Sequence, residues 1–101
     1  MTEVESVNRE LEKFIKVYLN AEQAYDTTGY LRPTLHAFKE EYVNGVRTGL
    51  ETALRTREIS PADYEHLTDI EFDNEDDLYE YLRDLYQYLF EGRDRQPIPP
   101  N

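Results

Sequence analysis

Residues 69–90 read DIEFDNEDDLYEYLRDLYQYLF, and this stretch decides what the rest of the chain has to be. It opens as a run of carboxylates and turns into an apolar helix carrying four tyrosines. At about 100° per residue, Leu82, Leu85 and Leu89 fall within about 40° of Leu78, an ordinary core stripe. Tyr81 and Tyr88 flank that stripe on one side, and Tyr79, Tyr86 and Phe90 lie on the other. The apolar arc is roughly 200° wide, broader than one packing face requires. Such a helix is sandwiched between neighbours, or shows one tyrosine flank to solvent beside the acids, or meets a second copy of itself. A solvent-facing tyrosine suits an anchoring role, because it covers much area with few rotatable bonds and keeps a hydroxyl for a partner.

Charge is concentrated around the same stretch. Between Glu58 and Asp84 there are eleven carboxylates and one base, Arg83, so the segment is net −10, while the whole chain is −11. Acidity serving solubility alone would be spread more evenly. A concentrated negative field steers a positively charged partner instead. Direct nucleic-acid binding is disfavoured, since the bases are scattered and phosphates would be repelled.

The length, 101 residues, fits one domain, and 39% hydrophobic residues with thirteen aromatics suffice for a core. The absence of cysteine excludes disulfides and thiolate metal sites and fits a reducing compartment. MTEVESV at the start lacks the pattern of a signal peptide, and no apolar run has membrane-spanning length, so the expected location is cytoplasmic.

Thr2-Glu3-Val4-Glu5 is a capping box, and Val4, Val7, Leu11, Phe14, Ile15, Tyr18 and Leu19 continue at helical spacing to about Gln23. Asp26-Thr27-Thr28-Gly29 reads as a loop. Pro33 opens a second helix, with Leu35, Phe38, Tyr42, Gly45, Gly49 and Ala53 on one stripe, and the spacing predicts continuity through Asn44-Gly45 to about Thr56. The small-residue row 45-49-53 leaves room for another helix to approach closely. Ser60-Pro61-Ala62-Asp63 starts a short helix with Tyr64 and Leu67 buried. Asp73 or Asn74 caps the last helix, and Gly92 ends it. The expected architecture is all-α, a four-helix domain of three longer helices and one short one over residues 1–92. Residues 93–101, with Gln96-Pro97-Ile98-Pro99-Pro100, form a flexible, disordered tail.

Asp69-x-Glu71-x-Asp73-Asn74 with Glu80 imitates positions 1, 3, 5 and 12 of a calcium loop, but Asn74 stands where the turn needs glycine and Asp76 where calcium loops are apolar. A helix-capping acidic loop is the better reading, and no metal or cofactor is expected. His36 and His66 have no metal or catalytic spacing, Ser6 and Ser60 sit on no nucleophile elbow, and the glycines form no phosphate cradle. The expectation is a binding protein, not an enzyme.

Leu11–Asp26 (LEKFIKVYLNAEQAYD), the following helix with Phe38, and the later short helix with DLYEYLRDLYQYL resemble the bacterial contact-dependent growth inhibition immunity proteins. Acids beside tyrosines on a four-helix domain are more loosely similar to the immunity proteins of nuclease colicins. The resemblance implies tight binding to a cognate, basic toxin domain such as a nuclease, without catalysis, by a monomer or a homodimer. The expected contact surface is Asp69, Glu71, Asp73, Glu75, Asp76, Asp77 and Glu80 with Tyr79, Tyr86 and Tyr64. The alternative is a DNA mimic or regulatory subunit that fills the basic cleft of a host nucleic-acid-binding protein.

Overall fold

The computed structural model describes residues 8–100, and the capping box at Thr2–Glu5 with Val4 and Val7 lies outside them. The described chain is all-helical, with α1 Arg9–Tyr18, α2 Leu31–His36, α3 Glu40–Thr56, α4 Pro61–Thr68 and α5 Glu75–Phe90. Helix α3 is the middle layer, packed against α1 and α5, while α4 lies along α1.

Asn8 starts α1. Its side chain accepts from the Leu11 amide at 2.7 Å and donates to the Gly45 carbonyl at 2.8 Å, so one residue both caps α1 and fixes its register on α3. The approach is as close as the small-residue row suggests. A Cβ at Gly45 would come within 2.8 Å of Glu10, and one at Gly49 within 2.9 Å of the Leu11 Cβ. The helix ends at Tyr18, short of the expected Gln23. Asn20 intervenes, its amide donating back to the Lys16 carbonyl at 2.8 Å and its oxygen accepting from Glu22 and Gln23 to start a turn.

The expected second helix is two. No glycine or proline marks the break at residues 37–39. Lys39 turns extended, and Phe38 leaves the helical path to lie 6.1 Å from Tyr18 and 4.8 Å from Tyr42, ring centre to ring centre. From Glu40 onward the helix runs unbroken through Asn44-Gly45. Arg57, in the left-handed region at φ 55°, closes it.

Ser60 and Asp63 form a reciprocal capping box with Pro61 at the first position of α4, as the sequence predicts. Tyr64 is buried, but its expected companion Leu67 is only half-buried, and Thr68 fills the inner position. Asn74 caps α5 through the Asp77 amide at 2.8 Å.

Most of the broad apolar arc of α5 is buried inside the chain. Leu78, Leu82, Leu85 and Leu89 enter the core, and Tyr79, Tyr81 and Tyr88 are buried on both flanks. The sandwiched arrangement holds for the leucine stripe and for Tyr79, Tyr81 and Tyr88, while Tyr86 and Phe90 at the far edge of the arc are half-buried. The last turn of α5 carries no basic residue of its own. Two side chains one turn apart on α2 serve it instead: Arg32 Nε donates to the Tyr88 carbonyl at 2.8 Å, and His36 Nε2 lies 2.8 Å from the Leu89 carbonyl.

Residues 93–100 form neither helix nor strand, as their prolines dictate, yet where the sequence suggests a loose tail the structure lays them on the domain. Gln96 donates to the Asp26 carbonyl at 3.2 Å, Arg32 bonds the Arg93 carbonyl, the Tyr25 hydroxyl bonds the Pro100 carbonyl, and Pro99 is buried. No helix among the described residues is long and apolar enough to cross a membrane.

Candidate functional site

The stretch that links α4 to α5 alternates. Ile70 and Phe72 turn into the core while Asp69, Glu71 and Asp73 face solvent, an extended segment with period two. Asp69 starts it at φ 64°, a left-handed position that aspartate tolerates. Within α5 the exposed carboxylates continue as Glu75, Asp76, Asp77 and Glu80, with Asp84 half-buried. The three in the first turn also favour the positive end of the helix. All seven carboxylates expected to form a contact surface are thus displayed outward.

The rings expected beside them are not. Tyr64 is 0% and Tyr79 1% exposed, which corrects their assignment as contact residues. Tyr79 is a staple: its hydroxyl donates to the Ile59 carbonyl at 2.8 Å and accepts from the Ile59 amide at 2.9 Å. Burial pushes that hydroxyl up to about 12. Tyr64 packs edge-on against Phe72 at 5.6 Å and Tyr81 at 6.5 Å, and burial holds it well above the usual tyrosine range. Tyr86 is half-buried and faces α3, bonded to Glu51 Oε2 at 2.5 Å, which raises it to about 12. Alternation in DIEFD is the signal that would have separated the outward acids Asp69, Glu71 and Asp73 from the inward Ile70 and Phe72.

Two of the chain's own arginines neutralise the flanks of the acidic row. Arg57 meets Asp76 at 2.7 Å and Glu75 at 3.5 Å. Arg93 meets Asp84 at 3.0 Å. Between them Asp77 and Glu80 have no cation among the described residues. They line, with Asp84, a cleft of about 370 Å³ whose other walls are Phe72, Tyr81, Arg93, Pro97, Ile98 and Pro100. Sequence reading placed Asp77 and Glu80 on the contact surface but not Asp84, and missed the far wall, because docking of a proline-rich segment depends on distant partners such as Tyr25 and Arg32.

Among the described residues no three His, Asp or Glu side chains gather as metal ligands. The calcium-like spacing does not fold as a calcium loop, since its second half, from Glu75 to Glu80, is already the first turns of α5. The arrangement suits electrostatic capture of a cationic surface. Compared with protein-family models, curated proteins and solved structures, the chain gives no match.

Proposed function

We propose that the protein is a non-catalytic inhibitor that neutralises a cognate bacterial toxin in the cytoplasm by covering a basic surface of the toxin domain with the face built from residues 69–84. One observation carries the reading: the carboxylates from Asp69 to Glu80 are all exposed, and within that run Arg57 alone supplies a pairing cation among the described residues. Such a face speeds encounter with a cationic partner and rejects anionic ones. Contact chemistry is revised from the sequence expectation. Residence time would come from Ile98, Tyr25 and the margin of the cleft, not from Tyr64 or Tyr79.

The toxin is expected to be encoded beside this protein. Co-expression in a cell that the toxin arrests should restore growth, and the two proteins should elute together at low salt and separate as salt rises. Continued arrest with no complex on gel filtration would overturn the proposal. Capture of a host nucleic-acid-binding protein through the same face, without rescue, would favour the DNA-mimic reading.

A further inference from the structure

The rings of α5 follow a pattern. Arg57 lies over Tyr79 at 5.2 Å, Arg32 over Tyr88 at 4.1 Å and Arg47 over Phe90 at 5.2 Å, while Tyr86 is held by Glu51. Tyr81 is the remaining ring, and no arginine of the described residues lies over it. It borders the cleft with Phe72, under the two carboxylates that lack a cation.

On the helical wheel Asp77, Glu80 and Asp84 span about 60°, so they form a single row that descends the helix beside Tyr81. One end of the row already holds a guanidinium: Arg93 Nη1 sits 3.0 Å from Asp84 and 3.1 Å from Gln87 Oε1. Across from the row, Ile98 is 60% exposed, a large apolar side chain with nothing over it among the described residues. The cleft, at about 370 Å³, is at the small end for ligand sites and fits one or two side chains, not a drug-sized molecule.

We infer that this cleft receives one arginine side chain from an extended segment of a basic protein partner. Its guanidinium would be shared by Asp77 and Glu80, and its methylene stem would lie between Ile98 and the edges of Phe72 and Tyr81. Arginine is selected over lysine because its planar fork engages two carboxylates at once and tolerates an aromatic margin, whereas an ammonium is a compact, strongly hydrated charge. The inference deepens the toxin-binding reading and takes from it only the source of the arginine.

The test is an NMR titration of the full chain with acetyl-Gly-Arg-Gly-amide, alongside its lysine and norleucine counterparts. Amide shifts confined to residues 77–84 and 97–100, with the arginine peptide binding tighter than the lysine one and norleucine inert, are expected. Glu80→Gln and Ile98→Ala should each weaken binding. Arg93→Gln should tighten it by about threefold, the worth of one competing exposed ion pair. Equal binding of the arginine and lysine peptides, shifts spread evenly over every acidic segment, or an Arg93→Gln variant no tighter than the parent would overturn the inference. Toxin rescue that survives Glu80→Gln, with no peptide binding, removes the arginine site alone. Peptide binding without rescue removes the toxin reading alone.

Discussion

Replacing Tyr79 by phenylalanine separates the two roles this ring could have, staple or partner anchor. The hydroxyl occupies both backbone groups of Ile59, which is 1% exposed. Phenylalanine keeps the ring and its packing but leaves a buried amide and a buried carbonyl without partners. Each such group costs about 1–3 kcal/mol, and partial relaxation toward solvent brings the sum to about 2–4 kcal/mol. That is a large part of the roughly 5–15 kcal/mol that holds a domain of this size together. With a urea slope of about 1 kcal/mol per molar, the unfolding midpoint should fall by about 2 M or more. Circular dichroism at increasing urea measures it directly. At a concentration where both proteins are folded, partner affinity should be unchanged. Tyr86→Phe, which removes only a solvent-screened bond to Glu51, should cost no more than about 1 kcal/mol. A Tyr79→Phe protein as stable as the parent but weaker toward its partner would refute the staple and restore the ring as an anchor.

Asp73→Asn with Asp76→Asn and Asp77→Asn should slow association and flatten its dependence on salt, with helical content kept; unchanged kinetics in a stopped-flow or surface binding assay would remove the acidic face from the mechanism. Gly49→Ala gains about 1 kcal/mol of helix propensity but drives a methyl against the Leu11 Cβ, which cannot swing away. The balance should be a net loss of about 1 kcal/mol by thermal melting, and a stabilised variant would contradict the close α1–α3 approach. Burial raises Tyr79 to about 12 and holds Tyr64 and Tyr81 well above the usual tyrosine range, so the folded state keeps these protons while the unfolded chain releases them near pH 10. Their contribution is complete below about pH 10 and is lost as pH climbs toward the folded values, so tyrosinate absorbance and loss of helical signal should rise together. Full ionisation with the helices intact would refute the burial. Arg32→Ala with His36→Ala should fray the last turn of α5, seen as faster amide exchange at residues 88–91; protection equal to the parent would mean α2 does not cap it.

What could be read from the sequence was whatever local chemistry dictates. Ser60-Pro61-x-Asp63 names a helix start whatever surrounds it, and the 45-49-53 row announces a close neighbour without identifying α1. The width of the α5 arc showed that one packing face was not enough, but left open whether the second flank was covered or exposed. The rest is tertiary: the α2–α3 break at Lys39 has no breaker residue, and just before it Phe38 stays 39% exposed beside Tyr18 and Tyr42. The docking of residues 96–100 likewise depends on Tyr25 and Asp26, some seventy residues earlier. The candidate site divided along the same line. Carboxylates are outward for reasons of solvation that any sequence shows, whereas the fate of Tyr64 and Tyr79 turned on Phe72 and Ile59, which no periodicity of α5 contains.

The linker from Arg57 to Ser60 grips α5 twice, once through the Arg57 pair with Asp76 and once through the Tyr79 hydroxyl on Ile59, and then caps α4. The negative face is thereby a finished, preorganised shape before any encounter. Little ordering entropy remains to be lost on its side of a complex, so the heat-capacity change of association should follow the contact area alone, without the extra increment that accompanies coupled folding.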